Sequence, residues 1–160
     1  LSGSPDLSAI DKWIREPYFA KGPPKSSGRE EFGIKDLERR ILQVSPINDQ
    51  DLIATLTVFT ALVIANDFRR IYQTRKIRPI KLFISGGGAK NPLMMKEILS
   101  RCRGMTIGNF NDLGIPIESM ESFAFAVLAW WHVLRKTGTS SSITGAKHST
   151  ILGIKSEPPL

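Results

Sequence analysis

The sequence predicts an α/β fold, rich in helix, built around a small parallel sheet. Three features predict it. From residue 48 onward the elements follow one another as helix, strand, helix, strand, helix, with a triple glycine after the first strand. The longest helix, 50–73, is apolar all round in its middle, which places it in a core between layers and not on a surface. Only two or three strands can be found, too few to bury both faces of a parallel pair. The 160 residues therefore read as the second half of an α/β domain whose first strands lie upstream of Leu1, and a start at Leu instead of Met fits the same expectation.

In chain order, Ser4-Pro5 or Ser2-Gly3 opens a helix from about Asp6 to Glu16, with Leu7, Ile10 and Ile14 on one face, and Pro17 ends it. Residues 18–32 form an ordered loop, because two prolines and two glycines forbid regular structure while aromatic residues at both ends anchor it. Ile34 to Val44 is a short amphipathic helix with Leu37, Ile41 and Val44 facing inward, closed by Ser45-Pro46. Asn48 and Asp49 cap the long helix, whose main stripe is Leu52, Leu56, Phe59, Val63 and Ile64. Residues 79–85 form a β-rich run, Asn91-Pro92 opens a helix to about Arg101, and Met105 to Ile107 is a second strand. Pro116 starts a last long helix to about Arg135, in which Phe123, Phe125, Trp130 and Trp131 are expected to fill core.

Composition excludes several classes. Hydrophobic residues make up 41% and charged residues 23%, an ordinary globular balance. The longest apolar run, 123–131, is about half of a membrane span, so no membrane partner is expected. A single cysteine, Cys102, rules out an internal disulfide framework and zinc-finger spacing, and it reads as a packing thiol. The net charge of +7 makes an anionic partner worth testing. The basic cluster Arg69, Arg70, Arg75, Lys76, Arg78 and Lys81 follows a helix end, where cations suit the macrodipole, and it reads as a solvated edge. No aromatic residues interleave with it as a stacking platform requires, so no nucleic-acid partner is expected. His132 and His148 have no second ligand or nucleophile at useful spacing and read as structural or exposed.

Three stretches can carry chemistry. Residues 83–92, FISGGGAKNP, join a strand to a helix through glycines that let a ligand approach peptide N–H groups, and the helix N-terminus adds positive potential. The spacing is neither a Walker loop nor a dinucleotide fingerprint, so nucleotide contact and a plain tight turn stay open. The loop PPKSSGRE (23–30) presents Lys25, hydroxyls and Arg29 to an anionic or sugar ligand, or is a surface loop held by local hydrogen bonds. Glu121 shares a helix face with Ala124, Leu128 and Trp131; a carboxylate there is buried with a partner or looks into a cleft, but spacing alone favours a first-turn acid that touches water.

Four separated stretches, PYF…PPKSSGREEF (17–32), GGGAKNPLMM (86–95), MESFAFAVLA (120–129) and ITGAKHSTILG (143–153), together resemble the C-terminal half of anhydro-N-acetylmuramic acid kinases. The resemblance covers nearly the whole chain. It implies a partial RNase H-like lobe of the sugar kinase/Hsp70/actin superfamily, with 1–47 as cleft-side loop and short helices, 48–160 as a helix–strand–helix core, and the N-terminal lobe absent. It further implies a cytoplasmic enzyme that uses ATP and Mg²⁺ to open the 1,6-anhydro ring of an amino sugar and phosphorylate O6, with a homodimer of the complete protein as a further expectation. By that resemblance Gly86, Gly87, Gly88 and Ala89 lie against the nucleotide and Glu121 contacts the sugar. The family's Gly-Thr-Ser-x-Asp-Gly phosphate loop and its Asp-Thr-Gly-Pro-Gly-Asn stretch, with the expected general base, are not in this sequence. No catalytic residue is therefore expected in the chain, and alone it is expected to be inactive. Ser27 stands where Thr is usual, Lys90 where Arg is usual, and the tail ILGIKSEPP departs from the usual ending.

Overall fold

A computed structural model describes residues 3–22, 24–44, 48–108 and 110–156. It contains seven α-helices and one two-stranded parallel sheet among those residues. Ser45-Pro46, expected to close the second helix, and Leu1, Ser2, Pro23 and the last four residues lie outside the described residues.

Helix α1 spans Leu7–Ile14, and Asp6 caps it by accepting a hydrogen bond from the Ala9 amide. Its buried face is Ala9, Ile10 and Trp13; Leu7, expected inside, is exposed. Pro17 does not merely end α1 but opens a one-turn helix, α2 (Pro17–Ala20), because a proline at the first helical position loses no intrahelical bond. Helix α3 covers Ile34–Gln43.

Helix α4 (Asp49–Arg75) starts at Asn48, whose side chain accepts from the Asp51 amide at 2.8 Å. It is long and apolar enough to cross a membrane by composition, yet it is the core helix here. Its N-terminal half packs Val58 and Phe59 against Ala9, Ile10 and Trp13 of α1 and Phe19 of α2. Its C-terminal half packs Ala61 and Ala65 against Ile98 and Cys102 of helix α5 (Pro92–Arg101). Helices on one half and the sheet side on the other explain why its middle carries no polar face.

Strands β1 (Lys81–Phe83) and β2 (Thr106–Gly108) run parallel, with Leu82 opposite Ile107, and α5 connects them. A 3₁₀ turn at Ile117–Ser119 leads into helix α6 (Met120–Val133), and a short helix, α7 (Ser141–Thr144), precedes the tail. The tail folds back on α6, where the His132 Nδ1–H donates to the Leu152 carbonyl at 2.9 Å. His132 thus has a structural hydrogen bond, and His148 is exposed.

Two expectations about buried faces are corrected. In α3 the residue facing inward is Arg40, 2% exposed, whereas Leu37 and Ile41 are exposed. Its guanidinium bonds to Asp36 Oδ2 at 2.8 Å and Glu16 Oε2 at 3.0 Å, and lies over the Trp13 and Phe59 rings at 4.9 and 4.7 Å. In α6, Phe123, Phe125, Trp130 and Trp131 are exposed, Phe125 at 72% and Trp130 at 62%, instead of filling a core. The turn that leads into α6 and the returning tail both touch it, but these aromatic side chains stay exposed.

Candidate functional site

Phe83 ends β1, and three residues later the backbone turns at Gly86, whose φ of +78° is a conformation that L side chains rarely adopt. A 3₁₀ turn, Gly87–Lys90, follows, with the Ala89 amide donating to the Gly86 carbonyl at 3.2 Å. The amides of Gly87 and Gly88 open this turn, and donors at the start of a helical turn have no acceptor within it. The Asn91 side chain then caps α5, accepting from the Leu93 and Met94 amides at 3.0 and 3.1 Å. The N-terminal donors of α5 are therefore partly used, and the free amides a ligand can reach are those of the glycine turn.

Facing this turn is the entry to α6. The two segments enclose a cleft of about 460 Å³, lined on one side by Ser85, Gly86, Gly87, Ala89 and Lys90 and on the other by Glu118, Met120 and Glu121. Gly86, Gly87 and Ala89 are thus brought together with Glu121, across more than thirty residues of sequence. Gly88 sits on the other side of the turn, its Cα facing the Met94 sulfur. Glu121 is exposed, and among the described residues no hydrogen bond or ion pair engages its carboxylate. It is available to a ligand.

Sequence reasoning missed Lys90 and Glu118 as lining residues. The signal for Lys90 was its place directly after the glycines; Glu118 lies one helical turn before Glu121. With a cation on one wall and two carboxylates on the other, the cleft can take a ligand that carries both anionic and hydroxyl groups.

The 24–30 loop lies elsewhere. Lys25 pairs with Asp67 of α4 at 3.6 Å and lies 5.1 Å from the Tyr18 ring centroid, while the Ser26 hydroxyl donates to the Thr144 carbonyl at 3.1 Å. Lys25 and Ser27 line a second cleft, of about 490 Å³, between α2, α3 and α4. No three His, Cys, Asp or Glu side chains converge as a metal site among the described residues.

Comparison with known proteins agrees with these motifs. A family model described as anhydro-N-acetylmuramic acid kinase matches residues 2–157. A protein of that name from Prochlorococcus marinus (strain MIT 9211) is 51% identical over 158 residues, covering 99% of this chain and 42% of that protein. Its namesake from Synechococcus sp. (strain CC9311) is 44% identical over 159 residues, covering 98% and 41%. The chain spans about two fifths of the length of the curated relatives it matches. With a match that runs almost from end to end, the chain belongs to the anhydro-N-acetylmuramic acid kinase family.

Proposed function

We propose that this chain is the C-terminal portion of an ATP-dependent kinase that converts 1,6-anhydro-N-acetylmuramic acid to N-acetylmuramic acid 6-phosphate, a step of amino sugar metabolism in cell-wall recycling. The observation that carries it is the cleft pairing the Gly86–Ala89 turn with Glu121. In this reading the turn amides approach the nucleotide, and the Glu121 carboxylate accepts hydrogen bonds from sugar hydroxyls. Water adds at the anomeric carbon, the anhydro bond breaks, O6 takes the γ-phosphoryl group, and ADP leaves. The general base and the phosphate-gripping loop belong to family stretches that this sequence lacks, so the chain by itself does not turn over substrate.

A second reading, a non-catalytic lobe that acts as a binding module, is favoured by the uncovered apolar faces of α6. The two are separated by calorimetric titration of ATP into the wild-type chain and into Gly87→Val. Space is open around the Gly87 Cα and its φ is not positive, so valine is accepted by the fold and blocks only an incoming ligand. The kinase reading expects wild-type binding of ATP, about tenfold weaker in Gly87→Val, with Glu121→Gln unchanged toward ATP but impaired toward the anhydro sugar. Equal ATP affinity in wild type and Gly87→Val, or no ATP binding at all, supports the second reading.

A further inference from the structure

Arg69, Arg75, Lys76, Arg78 and Lys81 are exposed, as a solvated edge requires, but the basic residues at 69–81 do not all turn to the same partners. Arg70 turns away from the others and donates to the Phe19 and Lys21 carbonyls at 2.7 and 2.8 Å, tying the chain after α2 to α4. Lys81 approaches Asp112 at 3.8 Å. Arg69 and Arg78 instead meet Arg101 and Arg103, which lie beyond them in sequence at the end of α5.

These four arginines line a cavity of about 260 Å³ together with Tyr72 and Cys102, and no carboxylate lines it. Arg101 is paired with Glu97 and Arg69 bonds to the Asn66 side chain at 3.0 Å. Arg78 and Arg103 have no hydrogen bond or ion pair among the described residues. The placement of Arg78 is built into the backbone: Gly104, at φ +86°, leaves free the space where a Cβ would stand 2.4 Å from the Arg78 Nη2. A helix-end role explains Arg101 and Arg103 by the macrodipole of α5. It does not explain Arg69 and Arg78, which come from two other segments. Arg101 has its carboxylate in Glu97, but Arg69, Arg78 and Arg103 have none among the described residues; like charges brought together repel one another, and an anion between them removes that repulsion. The guanidinium fork suits phosphate oxygens, and Tyr72 offers a flat wall beside them.

The cavity lies where Arg78-Pro79 enter β1 and Met105 enters β2, at the N-terminal ends of both strands. The Gly86–Lys90 turn is at the C-terminal end of β1, so this is a separate place in the fold. We propose that the arginine-lined cavity binds a doubly charged phosphate group, either inorganic phosphate or the phosphate of a small monoester. Its small volume and the diversion of Arg70 and Lys81 to other faces favour a small anion over a nucleic-acid backbone, which needs a continuous track.

The test is an NMR titration of the chain with inorganic phosphate, and separately with ribose 5-phosphate, at constant ionic strength held with chloride. Saturable shifts of the Arg103, Gly104 and Met105 amides are expected, with affinity roughly tenfold or more lower in Arg78→Gln/Arg103→Gln. Arg15→Gln, at the exposed residue that follows α1, should leave the titration unchanged. Tighter binding of ribose 5-phosphate than of phosphate identifies an organic ester that uses the Tyr72 wall; equal binding identifies phosphate alone. Non-saturating shifts in the wild type, shifts reproduced by chloride, or equal affinity in the double variant overturn the proposal. So does binding of a duplex oligonucleotide where neither phosphate probe shifts these amides.

Discussion

Arg40 organises the N-terminal third of the molecule through contacts that no local pattern announces. Its charge is neutralised by Glu16 from before α2 and by Asp36 from its own helix, and its faces are covered by rings from α1 and α4. Removing one partner of a buried ion pair leaves the other charges uncompensated, at a cost of about 3–5 kcal/mol. Arg39 also bonds to Glu16 and Asp36, so Arg40→Ala should fall near the low end, about 3 kcal/mol, read as a lower urea midpoint with unchanged slope. Burial works to raise the Asp36 pKa, but hydrogen bonds from Arg40 and Arg39 outweigh it and hold the carboxyl below the ordinary range. A depressed folded pKa contributes stability that is present above the unfolded value and is lost as pH falls through the folded one. Wild-type stability should therefore fall more steeply on the acid side than that of Asp36→Asn, measured by the same denaturation at stepped pH. An arginine was not legible as the inward residue of α3, because periodicity ranks apolar side chains inward and cannot see carboxylates brought by other elements. Glu121 was hard to read for the same reason: its spacing alone favours a first-turn acid, and only the opposing glycine turn makes it part of a cleft.

Elements were far more legible than faces. Helix α4 was expected over 50–73 and runs Asp49–Arg75, and α5 was expected from Asn91-Pro92 to Arg101 and spans Pro92–Arg101. Both begin at asparagine caps, and caps and prolines act within a few residues of chain, so sequence carries them fully. The strand positions were legible too, since glycine after 85 and proline at 79 bound a β-rich run. Asn91 shows what such a cap contributes. Its side chain satisfies two amides that α5 cannot satisfy itself, while its own amide closes the glycine turn on the Gly88 carbonyl at 3.1 Å. Asn91→Ala should cost about 1 kcal/mol and speed amide exchange at Leu93 and Met94, with Thr55 and Val58 in α4 unaffected. Exchange that accelerates evenly along the chain would mean that the residue supports the whole fold and not this junction.

At the scale of the whole molecule, the unusual feature is an apolar helix with almost nothing on it. Trp13 is 1% exposed in the α1–α4 core, while Trp130 and Trp131 on α6 face solvent. Exposed apolar surface of this kind marks an interaction face. The curated relatives are more than twice as long as the matched part, and under the proposed function their remaining three fifths or so supply the layer that covers α6. The expectation that the α6 aromatics fill a core inside this chain did not hold, because periodicity shows an apolar helix whereas burial also requires a second layer. Tryptophan fluorescence separates the two environments. In the chain alone, acrylamide should quench most of the emission, and Trp130→Phe/Trp131→Phe should leave a weak, blue-shifted signal from Trp13 that resists quenching. Extending the chain with the portion found in the Prochlorococcus relative should shield Trp130 and Trp131 and shift their emission to the blue. Equal quenching with and without that portion would mean that α6 faces water in the complete enzyme as well, and its aromatic faces would then belong to a different partner.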